Sequence, residues 1–274
     1  MTALDQPRQQ NDEARYPVPG LARGLEILRL FSHDRRSIAP PEIAKELGIP
    51  RSTVFRLMQT LEQMGFLERA EGRHAYRLGV AVLGLGFEYL ASLEITELAR
   101  PVMEQLRDDT GLTTHLVIRD GRDVVVVFKA VGNSRFTSSV NVGTRLPAHA
   151  TVLGRVMLAD LSDAELRSLY RGCRLRTFSG QTPTTIEALQ ELVRRDGRRG
   201  YALSESFFES GISAIAAPVR NMSGRVVAAI NVTITGDTAE SERKRQLADR
   251  VMRAAGELSR ALSYRPGLGT AVNL

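Results

Sequence analysis

The sequence predicts two folded parts: a small N-terminal unit, mostly α with a β-hairpin wing, and a larger α+β unit with one largely antiparallel sheet. Three observations carry that prediction. Apolar residues recur at helical spacing between Leu21 and Leu57 and are interrupted at Gly48-Ile49-Pro50. Two short stretches then alternate apolar and polar residues on either side of Glu71-Gly72-Arg73-His74. From about residue 95, helical and alternating segments take turns to the end of the chain. A length of 274 residues gives room for two cores, and 43% hydrophobic with 25% charged residues excludes a disordered or fibrous chain.

Residues 1–18 are polar and mixed in charge, so a disordered arm is expected there and not a signal peptide. Leu21, Leu25, Leu28 and Phe31 follow at helical spacing and are expected to supply the first helix of a three-helix core. The run from Ile43 to Leu57 reads as two helices joined by a tight turn, packed through Ile43, Leu47, Ile49, Val54 and Leu57. Ala44 is small where the helices cross, Gly48 supplies a positive φ, and Pro50 suits the first turn of the second helix. This is a helix-turn-helix whose second helix offers Arg51, Ser52, Thr53, Phe55 and Arg56 to phosphates and base edges. The hairpin that follows reads as the wing, with Arg69, Arg73 and Arg77 placed to flank a DNA backbone.

A winged helix-turn-helix is therefore expected over residues 19–78, with double-stranded DNA as its partner. Charge supports this only weakly. The net charge is +6, but residues 1–80 hold 12 basic against 10 acidic residues, so binding must rest on the placement of a few arginines.

Residues 79–94 form a helical stretch too apolar all round for an exposed connector. We expect it to pack on a second copy of the chain, with Gly84 and Gly86 allowing close approach, and a dimer suits a palindromic site. Gly84-Leu85-Gly86 is no dinucleotide fingerprint, because no strand precedes it and Tyr89 stands where a third glycine belongs.

The second unit, residues 95–265, is expected to contain a helix over 95–110, strands over 113–119, 123–131 and 135–140, and a helix over 151–159. Another helix follows a Ser162 cap. Thr184-Thr185-Ile186-Glu187 reads as a capping box opening a helix over 186–195. Strands over 201–204, 212–219 and 226–233 follow, the last two joined at 221–224, then a helix over 240–264; residues 266–274 are a tail.

This unit shows no nucleophile elbow, no phosphate-binding loop and no helical histidine pair, so no enzyme, no metal site and no cofactor is expected. Cys173, the single cysteine, rules out an internal disulfide framework and reads as a structural loop residue despite Arg171, Arg174 and Arg176 around it. No apolar run is long enough to span a membrane, and the cytoplasm is the expected location. What the unit does offer is a small-molecule pocket. Residues 142–151 end a strand and enter a helix near Ala150 or Thr151, whose free N–H groups suit a carboxylate. Arg145 and His149 could add charge, and Ser204, Glu205, Asn231 and Thr233 stand at strand positions able to face inward.

Over about residues 19–265 the chain resembles the IclR family of bacterial transcriptional regulators. The resemblance is carried by Gly24-Leu25-Glu26-Ile27-Leu28, by Glu42-Ile43-Ala44 through Leu57, and by Tyr76-Arg77-Leu78-Gly79. Later in the chain it is carried by Gly143 through Thr151 with Gly154-Arg155, by Arg199-Gly200-Tyr201, by Gly211 through Val219, and by Ala228-Ala229-Ile230-Asn231-Val232. It implies a GAF-like effector-binding domain after the winged helix, dimers or tetramers, and palindromic operators near catabolic genes. By position it implies a pocket at Leu146, Thr151, Val152, Leu153, Ser204, Ala214, Asn231 and Thr233, to which the reading of the residues adds His149 and Ala150. Glyoxylate-responsive members of the family are small or polar where this chain has Val152 and Leu153, and acidic where it has Ser204. The wording around 142–155 is most similar to the regulators of protocatechuate and β-ketoadipate pathways. The expected function is thus a ligand-responsive regulator of a catabolic operon, sensing a small organic acid such as an aromatic acid or its ring-cleavage product. The alternative is a DNA-binding protein whose C-terminal domain only assembles subunits.

Overall fold

The computed structural model describes residues 18–32, 34–70, 74–133, 140–205, 212–235 and 241–265. The expected arm up to residue 17, the tail at 266–274, Arg73 in the wing turn and the strand expected over 135–139 lie outside the described residues. The chain divides into two compact units, Met1–Ser92 and Leu93–Leu274.

In the first unit, α1 (Pro19–Arg29), α2 (Pro40–Leu47) and α3 (Arg51–Gln63) precede a two-stranded ribbon of β1 (Leu67–Arg69) and β2 (Tyr76–Leu78). The turn between α2 and α3 works as its residues dictate. Gly48 takes φ +65°, which costs a residue with a Cβ about 1–2 kcal/mol. Pro50 stands one residue earlier than expected, as the N-cap of α3 with extended ψ, so the helix proper starts at Arg51. The core gathers Ile27, Phe31, Ile38, Ile43, Val54, Met58, Leu67 and Tyr76. Ile38 and Tyr76 exchange two backbone hydrogen bonds of 2.9 Å, which ties the wing to the segment before α2. Gly79, where the wing ends, lets the backbone pass close to Gly65, since a Cβ there would meet the Gly65 carbonyl oxygen at 2.2 Å.

One expectation about α1 is corrected. Gly24 and Ile27 turn to the core, whereas Leu21 and Leu25 are 64% and 54% exposed. The helix is apolar on two neighbouring stripes, and periodicity alone cannot choose between them. The α4 helix (Ala81–Ser92) has no buried residue, and a Cβ added at Gly84 or Gly86 would meet no atom of the described residues within 4 Å.

The second unit is built on a six-stranded antiparallel sheet in the order β5-β4-β3-β8-β7-β6. In chain order it holds α5 (Glu94–Thr110), β3 (Thr113–Asp120), β4 (Asp123–Ala130), β5 (Arg145–Pro147), a 3-10 turn at Ala148–Ala150, α6 (Val152–Leu158) and α7 (Asp163–Leu169). Then follow α8 (Ile186–Arg199), β6 (Ala202–Glu205), β7 (Ile212–Arg220), β8 (Val226–Thr235) and α9 (Ser241–Ala261). Side chains alternate across the pleat. One face, with Thr114, Leu116 and Phe128, meets α5, to which α9 adds a second covering helix. The other face, with Val117, Ala216 and Ala229, packs under α6 and α8 around Val152, Leu153, Val156, Leu189 and Val193.

Local signals mostly hold. Gly111 closes α5 at φ +69°, and Ser162 with Glu165 forms a full capping box on α7. The box expected at 184–187 is corrected: Thr185 is the cap, accepting from the Ala188 N–H, and Ala188 has no side chain to return the bond. That helix also runs on to Arg199, because nothing stops it before Gly200 at φ +78°.

Candidate functional site

On the first unit, α3 buries Val54 and Met58 and turns Arg51, Ser52, Phe55 and Arg56 outward, with Thr53 half-buried. Positions 51, 52, 55 and 56 share one face because neighbours on a helix surface recur three to four residues apart. Neither Arg51 nor Arg56 is held in an ion pair among the described residues, so both can extend toward an anion. Phe55, half-exposed, offers an apolar edge between them.

The wing arginines are not equivalent to these. Arg69 Nε lies 3.0 Å from Glu62 Oε1, and its guanidinium sits 5.0 Å above the Tyr76 ring. Arg77 pairs with Glu68 at 2.8 Å. A phosphate would have to compete with a carboxylate for either side chain.

On the second unit, a cavity with an accessible volume of about 80 Å³ lies between the sheet and the entry to α6. Leu146, Ala150, Thr151, Val152 and Leu153 supply one wall, and Ser204, Ala214, Asn231 and Thr233 come from the sheet. Strand register explains the second group. Ser204 faces Ala214, Ala214 faces Thr233, and Asn231 faces His115, so these side chains stand on one face of the sheet. Thr151 caps α6, accepting from the Gly154 N–H at 3.1 Å and donating to the Pro147 carbonyl at 3.3 Å. Gly154 allows the helix to sit on the 3-10 turn, since a Cβ there would come within 2.2 Å of Ala148.

His149 is buried but does not line this cavity. Its Nε2 lies 2.9 Å from the Arg176 carbonyl, and its ring packs edge-on against Tyr170 at 6.1 Å. Arg145 likewise stays outside, bridging Asp120 and Asp123 at 2.8 and 3.3 Å. The Cys173 thiol rests against the Arg122 guanidinium, far in sequence from the cavity's walls. Glu205 ends β6, and its side chain lies outside the described residues.

Three lining residues escaped the sequence reading: His115, Val140 and Ile212. His115 matters most. It is 2% exposed, its backbone N–H donates to Asn231 Oδ1 at 3.2 Å, and its Nδ1 lies 3.2 Å from the same oxygen. Burial pushes its pKa down to about 4, with the charge on Lys129 adding to the effect and the Asn231 and Val140 groups opposing it. The ring is therefore neutral near pH 7. A histidine alternating with Val117 along β3 was the only local signal, and its cross-strand partner cannot be read from the sequence.

Comparison with known proteins bears on both units. Residues 20–71 match the family described as IclR helix-turn-helix domain, and residues 87–260 match Bacterial transcriptional regulator IclR C-terminal. The chain belongs to the IclR family of transcriptional regulators. The HTH-type transcriptional regulator XynR of Escherichia coli is 32% identical over 90% of this chain and 98% of its own length. The Pca regulon regulatory protein of Pseudomonas putida is 30% identical over 89% of this chain and 84% of its own. These identities are nearly equal, so they place the chain in the IclR family without singling out one subgroup. An IclR homologue from Microbacterium hydrocarbonoxydans, solved in complex with 4-hydroxybenzoate, has the same fold, with a TM-score of 0.77, 24% identity and coverage of 89% of this chain and 99% of its own. As an IclR-family protein the chain is a DNA-binding transcriptional regulator, and its relatives are named as regulators or repressors. No helix of the described residues is long and apolar enough to cross a membrane.

Proposed function

We propose that this IclR-family regulator controls a catabolic operon by binding a small organic acid in the cavity under α6. The observation that carries the reading is the lining of that cavity, in a chain whose Arg51 and Arg56 stand in no ion pair among the described residues. Aliphatic walls from Leu146, Val152, Leu153 and Ile212, with Asn231, Thr233 and Ser204 among them, suit a compact ligand with an apolar body and a few polar groups. An aromatic acid or its ring-cleavage product fits that description, and the relatives named for the Pca regulon and for a bound 4-hydroxybenzoate support choosing those acids first.

In this reading Arg51, Ser52, Thr53, Phe55 and Arg56 enter the major groove of a palindromic operator, and the wing with Arg69 and Arg73 lies along the backbone. The protein works in the cytoplasm as a homodimer or a pair of dimers. Support for self-association comes from the first unit. Leu21, Leu25, Leu28, Leu61, Met64 and Leu85 line an apolar groove of about 360 Å³, and Leu83, Leu85 and Phe87 on α4 are each more than half exposed. The acid switches the regulator by binding unequally to the DNA-competent and incompetent arrangements of the dimer.

The test is a gel-shift titration on the DNA upstream of the gene, at one stated salt concentration, with and without protocatechuate, 4-hydroxybenzoate and β-ketoadipate. Competitor-resistant binding that one acid alters supports the proposal. Specific binding that no small acid alters assigns the second unit to assembly alone. Failure on every candidate promoter removes the operator reading.

A further inference from the structure

We propose that Lys129, which stands beside the cavity and not among its lining residues, supplies the positive charge that recognises the effector's carboxylate. The inference rests on the reading of the cavity as the effector site, and it sets which end of the acid lies where.

Among the described residues the lining offers an anion no counter-charge. His115 is the lining residue that titrates near neutral pH, and burial keeps its ring neutral at pH 7. A carboxylate enclosed by these walls would give up its water for dipoles alone, which is unfavourable without a cation close by. Two neighbouring arginines are already committed. Arg145, next to Leu146 in the chain, bridges Asp120 and Asp123. Arg155, on α6, is held by Asp196 at 2.6 Å.

Three observations bring Lys129 to the wall. It is the cross-strand partner of His115, and His115 is the partner of Asn231, so the three side chains form a row on the face of the sheet that carries the cavity. Lys129 Nζ donates to the Val140 carbonyl at 2.6 Å, and Val140 is a lining residue. Its charge reaches the cavity, where it helps to hold the His115 pKa down. The side chain is half-buried, so a ligand entering past Val140 meets it.

The local bonds leave that charge available. Nζ also donates to Asn141 Oδ1 at 3.1 Å. The Val140 and Asn141 oxygens are both neutral, and they orient the ammonium without cancelling its charge. Burial pushes the Lys129 pKa down, and an anion brought beside a partly desolvated ammonium relieves that cost. The acid then lies with its carboxylate on the Val140 side and its apolar body against Val152, Leu153 and Ile212.

The test is calorimetry on the full-length protein with pairs that differ in charge: 4-hydroxybenzoate against 4-hydroxybenzamide, and protocatechuate against its amide. In the unmutated protein the acid should bind roughly tenfold more tightly than its amide, and the difference should narrow as salt is raised. In Lys129→Met the acid should lose that advantage while the amide keeps its affinity. Lys129→Arg, which retains the charge, should retain the preference.

Equal affinity for acid and amide in the unmutated protein overturns the role of Lys129 and leaves the pocket standing, whether or not the variants fold. A preference that survives in Lys129→Met overturns it too, and so does an equal loss for acid and amide, which marks a structural side chain. Loss of the preference in Lys129→Arg as complete as in Lys129→Met overturns a role for the charge. Absence of binding by every member of the panel overturns the pocket reading, and this inference falls with it.

Discussion

Arg155 and Asp196 form an ion pair sealed inside the second unit, Nε to Oδ2 at 2.6 Å, with side chains 0% and 2% exposed. A second guanidinium nitrogen donates to the Leu203 carbonyl at 3.1 Å. One side chain thus joins α6, α8 and β6, and Leu203 is the neighbour of Ser204 in the cavity wall. Two charges this deep stabilise the fold only as a pair.

Removing one partner should be severe. Asp196→Asn is expected to cost about 3–5 kcal/mol, because it leaves a guanidinium buried without its counter-charge. The double variant Arg155→Met with Asp196→Leu should lose much less. Urea midpoints of the three proteins check this, and additive losses in the double variant would contradict it.

Acid should weaken the fold through His115. An unfolded histidine takes up its proton near pH 6.5, whereas the folded ring does so at about 4. Between these values the unfolded chain holds more protons, so stability rises with pH across the window. The contribution is complete above pH 6.5 and shrinks as the pH falls toward 4, by on the order of 3 kcal/mol. The ring signal followed by NMR should stay unchanged down to about pH 5, and urea midpoints at pH 7 and pH 4.5 should differ less in His115→Asn than in the unmutated protein.

DNA affinity should respond differently to three charges. Arg56→Ala is expected to cost about 1–3 kcal/mol and to relax preference at one base pair if the side chain reads a guanine. Arg69→Ala should weaken binding evenly across sequences and lower the salt slope by about one. Glu62→Gln should tighten binding modestly, since it releases Arg69 from its carboxylate partner. Gel-shift titrations over a range of salt separate these effects.

Gly48→Ala should destabilise the first unit by about 1–2 kcal/mol, because φ +65° forces a Cβ into the left-handed region. Thermal melts of the full chain and gel shifts should both register it.

The helix-turn-helix was legible because its signals are local. Gly48 and Pro50 sit within three residues, and Val54 packs inward as expected, although Met58 and not Leu57 is the second fully buried position of α3. The wall of the cavity at Leu146 to Leu153 was legible for the same reason, being one continuous strand-to-helix passage. What failed was what sequence neighbours cannot decide. Leu21 and Leu25 lost to Ile27 on α1 because both stripes are apolar and only the packing of α3 picks one. The cap of α8 fell on Thr185 and not Thr184, since two adjacent threonines offer the same chemistry. His115 entered the cavity through its pairing with Asn231, 116 positions later in the chain, and His149 turned away to the Arg176 carbonyl. Both outcomes depend on contacts between distant segments.

The α4 helix has a consequence for how this protein comes into being. Twelve residues with no buried side chain, carrying Leu83, Leu85 and Phe87 into water, are too few to stay helical unaided. Where the self-association proposed above covers α4, helix formation in Ala81–Ser92 and that covering become a single event, and the chain completes its folding as it assembles. Far-ultraviolet circular dichroism would follow that event directly, as helical signal lost on dilution and regained on concentration.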